Sequence, residues 1–167
     1  MLTELSGPNT SGTGPGSVLA AQMAIADAIA TDPSLPVGLL SADHQASADV
    51  ALQVAREWLD TRDVDAIVNV NNSAAALAVA DLVRQRNQVA LFSAPASSAL
   101  TGAACRSNHV QWTYDSWALG NAVGDAVTKG GGDTWFIIGA DYTLLATIPK
   151  EQAFRSMDAG SCPLLTP

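Results

Sequence analysis

Along the chain, short continuous apolar runs alternate with longer stretches in which apolar residues recur every three or four positions, predicting strand and helix in turn. Two bounded runs stand out, AIVNV at 66–70 and VALF at 89–92, each of strand length. Between them residues 73–85 have the alanine-rich composition of a closely packed helix. Each strand runs directly into small polar residues, Asn71, Asn72 and Ser73 after the first and residues 93–98 after the second. A right-handed crossover puts both loops on the C-terminal edge of a parallel sheet, where small-molecule sites of open α/β sheets form. The pair is expected to make half of a ligand-binding cleft.

The flanking sequence extends the same alternation. Residues 1–5 read as the end of a strand, and the run 6–16, SGPNTSGTGPG, as a loop whose glycines and prolines exclude regular structure. Val18, Ala21, Gln22, Ile25 and Ile29 fall near helical spacing and end before Pro33. A second strand is expected at 37–41, then a helix capped by Ser47 with Val50, Val54 and Trp58 on one stripe. Beyond residue 92 the pattern predicts a loop at 100–109 and a short strand at 110–113. It then predicts a helix at 116–128 closed by Lys129 and a left-handed glycine cap, and a strand at 134–139. From Thr143 the periodicity weakens among Pro149, Pro163 and Pro167, and a loose tail is expected. The class is α/β, with a mainly parallel sheet flanked by helices.

Composition narrows the partners more than the fold. Hydrophobic residues make up 48% of 167, enough for a core, while eight basic against sixteen acidic residues give a formal charge of −8. With no basic stripe, nucleic acid and anionic membrane surfaces are poor partners. Apolar stretches are strand-sized, far short of the roughly 20 residues a spanning helix needs, so no direct membrane insertion is expected. The N-terminal residues MLTELSGP show no export signal.

Three constellations could carry chemistry. Gly12, Gly14 and Gly16 lie between a strand and a helix, and with Asp43 as a ribose-binding acid they suggest a nucleotide-dependent α/β enzyme. Ser17, however, stands where a third fingerprint glycine belongs. Asp43, His44, Asp115 and Asp141 could do acid/base work if two converged, and Cys105 near His109 could act as a nucleophile, although neither set has a visible orienting partner. Whether Cys105 and Cys162 pair is left open by the spacing. Third, Asn72 and Ser73 open a helix and can offer amides and hydroxyls to a carboxylate, the plainer alternative being a helix cap alone.

Taken in order, SGP at 6–8, GPGS at 14–17, SADHQ at 41–45, DAIVNVNNSAAALAV at 65–79, the serines at 93 and 97, LTGAAC at 100–105, WTYD at 112–115 and GGDTWFIIGADY at 131–142 resemble the substrate-binding proteins of branched-chain amino-acid-type ABC transporters. The resemblance implies the first lobe of a type I periplasmic binding protein at 1–115 with its first strand incomplete, the start of a second lobe at 116–142, and a divergent tail at 143–167 of the kind a truncated or frameshifted reading frame leaves. It implies a non-enzymatic component of an ABC importer that captures a small carboxylate-bearing ligand, an amino acid or an aromatic acid, in an interlobe cleft. A membrane permease would be its partner, the periplasm its compartment, and no cofactor or metal would be needed. A sensory ligand-binding domain of the same fold is the other possibility. Carried onto this chain, the ligand cradle falls on Asn72 and Ser73 and on Ala96 and Ser97, with Thr13 from the first loop and Tyr142 from the second lobe.

Overall fold

The computed structural model describes residues 1–132. The expected strand at 134–139, Asp141, Tyr142, the expected 143–167 tail and Cys162 lie outside the described residues. Nine elements follow in order: β1 (Leu2–Thr3), α1 (Thr10–Thr31), β2 (Ala42–Asp43), α2 (Ala48–Thr61), β3 (Ala66–Val68), α3 (Ser73–Gln85), β4 (Val89–Phe92), β5 (His109–Gln111) and α4 (Ser116–Lys129). Every pairing is parallel. β2 lies beside β1, and β3, β4 and β5 form a three-stranded sheet. A bridge from Leu2 to Asn69, with the Val70 amide donating to the Leu2 carbonyl at 2.8 Å, joins the two. The resulting order, β2-β1-β3-β4-β5, reverses direction between β1 and β3, the point where doubly wound sheets open a crevice at their C-terminal edge.

Burial of strand residues against α2 and α3 holds this arrangement. Leu2, Ile67, Val70, Ala90 and Phe92 from the strands meet Ala75, Ala76, Val79, Ala80 and Val83 of α3 and Ala51, Ala55 and Trp58 of α2. The small α3 residues let that helix sit close to the sheet. In α2 Trp58 is buried as expected, but Ala51 and Ala55 complete the buried stripe, with Val50 and Val54 flanking it half-buried. Ser47 caps α2 as expected, its hydroxyl accepting from the Val50 amide at 3.3 Å.

Other expectations need correction. The 6–16 run is not wholly irregular, because α1 begins at Thr10 with a first turn closed by the Gly12 and Thr13 amides on the Asn9 carbonyl. The helix then breaks at Gly14 and restarts with Pro15, whose missing N–H is harmless in a first turn. The second strand is not at 37–41 but at Ala42–Asp43, the residues that pair with Leu2 and Thr3 of β1. β3 ends at Val68 because Asn69 and Val70 turn to φ 76° and 51°. β5 starts at His109, one residue early. The left-handed glycine expected after α4 is present, as Gly131 at φ 92°.

The Met1 ammonium donates to the Leu40 carbonyl at 2.6 Å, and burial lowers its pKa from 8.0 to about 6. An amine harder to protonate folded than unfolded binds its proton in the unfolded chain throughout that window. Stability is therefore expected to rise between pH 6 and 8, by at most about 2 kcal/mol given the partial exposure of the group. Urea midpoints across this range, compared with N-terminally acetylated chain, measure it. The acetylated form should lack this component of the slope.

Candidate functional site

The loops leaving β1, β2, β3 and β4 meet at the C-terminal edge through a polar network buried unusually deeply. Thr3, Glu4 and His44 are fully buried and Asn69 is 2% exposed. Such groups are tolerated only when hydrogen-bonded. Asn71 is the hub: its Oδ1 accepts from the Glu4 amide at 2.8 Å and from His44 Nε2 at 2.8 Å, and its Nδ2 donates to the Thr13 hydroxyl. His44 Nδ1 accepts from the Ala46 amide at 3.1 Å, so the donor of this ring is Nε2.

A second strand of the network ties β3 to β4. Asn69 Nδ2 donates to Thr3 Oγ1 and Ser93 Oγ donates to Asn69 Oδ1, both at 3.0 Å. The Glu4 carboxylate accepts from the Asn9 backbone and side-chain amides at 3.1 and 2.9 Å, closing the β1–α1 loop. Four residues other than glycine here hold positive φ: Gln45 at 53°, Ala46 at 54°, Asn69 at 76° and Val70 at 51°. For β-branched Val70 this conformation is strained, and it persists because the surrounding bonds over-determine it.

Among the described residues, Asp43, His44 and Asp115 are each committed to internal hydrogen bonds rather than joined as an acid/base set. Burial raises the Asp43 pKa, but bonds from the Ser6 hydroxyl and the Gln45 and Leu5 amides lower it more, so the carboxyl lies below its usual value. Those internal donors, at 3.0 Å from Leu5 and 2.8 Å from Gln45, also fill the oxygens that a nucleotide ribose would need. Asp115 is the N-cap of α4, accepting from the Ala118 amide at 2.8 Å. Gly12, Gly14 and Gly16 belong to a kinked helix, not a tight strand-to-helix turn, which removes the dinucleotide fingerprint. Cys105 is disulfide-bonded and therefore has no thiolate, while His109 Nε2 is engaged with the Leu100 carbonyl at 2.8 Å. Among the described residues no group of three or more His, Cys, Asp or Glu could hold a metal, and no helix is long and apolar enough to cross a membrane.

The expected cradle is distributed over the edge. Thr13 is drawn against the β3 loop by Asn71. Asn72 Oδ1 caps α3 by accepting from the Ala75 amide at 3.0 Å, leaving the Ser73 and Ala74 amides as the donors a helix start does not pair internally. Ser73 is 5% exposed at the head of α3. In the β4 loop, the Ala96 carbonyl accepts from the Ser116 amide at 2.7 Å. Ser97 is fully buried, with its Oγ accepting from the Ala99 amide at 3.3 Å. Thr3, Glu4 and Asn69 were not singled out from the sequence, and Asn71 entered only as part of the polar loop after β3, not as a cradle residue. The available signal was the repeated Asn of NVNN, a residue suited to left-handed backbone and to side-chain bridging.

Residues 1–153 match the protein-family model described as "Periplasmic binding protein". A periplasmic binding protein from Burkholderia mallei is 36% identical over 84% of this chain and 38% of its own, with a TM-score of 0.80. A branched chain amino acid ABC transporter periplasmic ligand-binding protein from Burkholderia xenovorans is 35% identical over 92% of this chain and 41% of its own, at TM-score 0.78. A solute-binding protein of an ABC transporter from R. palustris in complex with benzoate shares the fold at TM-score 0.70 and 17% identity, over 78% of this chain and 36% of its own. No curated protein sequence matches significantly. The chain thus spans about two fifths of the length of these solved relatives.

Proposed function

The chain belongs to the periplasmic binding protein family, and from that membership we propose that it supplies one ligand-binding lobe of a solute-binding component of an ABC importer, acting in the periplasm and presenting its ligand to a membrane permease. The ligand we propose is a small carboxylate, an amino acid or an aromatic acid. Thr13, Asn72, Ser73, Ala96 and Ser97 would form this lobe's share of the cradle, and Tyr142, beyond the described residues, would reach it from a second lobe. Capture would proceed by hinge closure of two lobes. The relatives at 35–36% identity are named as binding proteins, and one is named for branched-chain amino acids, which supports a non-enzymatic reading.

The observation that carries the proposal is the chemistry of the edge at the β1/β3 junction. No Lys or Arg occurs in residues 1–55, 63–83 or 87–105, which supply all of these loops. A carboxylate there must be held by neutral donors, and the free amides at the start of α3 with neighbouring hydroxyls are such a set.

Calorimetric titration of L-isoleucine and of benzoate into the 167-residue chain tests this. Saturable binding of either is expected, weakened by about 0.5–2 kcal/mol in Ser73→Ala and in Ser97→Ala for each lost hydrogen bond. Silence toward both probes, or affinities indifferent to both substitutions, would reject the assignment.

A further inference from the structure

We propose that Asn71 is a positioning residue that sets the hydrogen-bond polarity of the site, turning the Thr13 hydroxyl into a donor aimed at a ligand oxygen. This rests on the carboxylate reading above and goes beyond it, because it says which way each proton points and why.

The argument starts at His44. Its Nδ1 is held by the Ala46 amide, so Nε2 carries the proton and must donate to Asn71 Oδ1. The Glu4 amide donates to the same oxygen. Two donors on one atom fix the orientation of the Asn71 amide, since a flipped group would point its NH2 at both of them. Nδ2 therefore faces Thr13 and donates to its oxygen. The Thr13 hydroxyl, already accepting, must send its own proton elsewhere. Among the described residues it finds only the Asn9 carbonyl at a long 3.4 Å. A carboxylate oxygen at the edge is a stronger acceptor than that.

Three loops converge on this amide from β1, β2 and β3, and the strained residues Gln45, Ala46, Asn69 and Val70 flank it. Hydrogen bonds spanning 67, 27 and 58 positions of sequence hold Thr13 in register with the start of α3. The side chain needs no contact with the ligand to act in this way.

The test exploits the difference between shape and polarity. Asn71→Asp keeps the shape and the acceptor but replaces the NH2 with an oxygen, which would take the Thr13 proton and turn a lone pair toward the ligand. Asn71→Ala merely releases Thr13. With L-isoleucine or benzoate as probe, Asn71→Ala is expected to lose about tenfold in affinity and Asn71→Asp about a hundredfold. Thr13→Val added to either should cost less than it does alone. A purely structural Asn71 would rank the near-isosteric Asn71→Asp as the milder change, and that order, or additive losses with Thr13→Val, overturns the proposal. A ligand-free readout separates this from the carboxylate reading. Amide exchange at Glu4, measured against Ala90, should accelerate at least tenfold in Asn71→Ala and stay protected in Asn71→Asp. Protection unchanged in Asn71→Ala removes the relay even where a probe binds, whereas a wild-type chain that binds neither probe but shows this exchange pattern fails only as a carboxylate binder.

Discussion

Gly14→Ala should destabilise the protein by about 3 kcal/mol, the upper range for forcing atoms into filled space, whereas Gly12→Ala and Gly16→Ala, in the same sequence run, should be neutral or slightly stabilising. A Cβ on Gly14 would stand 2.5 Å from the Glu4 carbonyl oxygen and 3.2 Å from Thr10 Cγ2. The first neighbour is backbone and cannot yield by changing rotamer. It is also pinned on both sides, by the Glu4 amide on Asn71 and by the Glu4 carboxylate on Asn9. Gly12 and Gly16 have nothing within 4 Å of a built Cβ, and alanine there would reduce the entropy of the unfolded chain at sites where helix is already formed. Relief of the Gly14 clash must separate α1 from the β1 exit, which moves Thr13 away from Asn71. Urea denaturation of the three variants measures the effect, and equal midpoints for Gly14→Ala and Gly12→Ala would show that the close approach is not a constraint.

The same segment shows why part of the fold could be read from sequence and part could not. β4 and α3 match their expected bounds, because both are bounded apolar or alanine-rich runs whose partners lie next to them in the chain. β3 stops two residues early, at Asn69, where a bridge to Leu2 and a left-handed turn take over from the ladder. The apolar run 37–41 has the composition of a strand, but β1 pairs with Ala42 and Asp43 beyond it, and Val37 remains 38% exposed. The Gly and Pro of 6–16 act as breakers only between positions. A single turn fits before Gly14 and a full helix after it.

The site was legible as a place and not as a set of atoms. Order of strands and loops put the polar residues 71–73 and 93–98 at one edge, and Ser93 does reach Asn69 there. Asn72, however, is committed to capping, and its neighbour Asn71 joins the loops. Nothing local distinguishes two adjacent asparagines. Their difference comes from Glu4 and His44, which meet Asn71 only after β1, β2 and β3 have aligned.

Phe92→Ala should cost about 3–5 kcal/mol and also loosen the β4 side of the proposed cradle. Phe92 is the largest fully buried side chain among the described residues, at the point where β4 turns into the 93–98 loop. Its ring lies 5.4 Å from that of His109 at 50°. His109 donates through Nε2 to the Leu100 carbonyl, and the Leu100 amide in turn bonds the Ser97 carbonyl at 3.2 Å. Removing the ring opens a cavity beside this chain of contacts, whereas the polar hub at Asn71 keeps all its partners. Two readouts should therefore diverge. The urea midpoint falls with an unchanged m-value, and amide exchange at Leu100 accelerates more than at Glu4. Phe92→Leu, which restores most of the buried apolar volume, should recover more than half of the lost stability. If exchange at Glu4 and Leu100 rises equally, the edge behaves as one cooperative unit and the β4 loop has no independent support from Phe92.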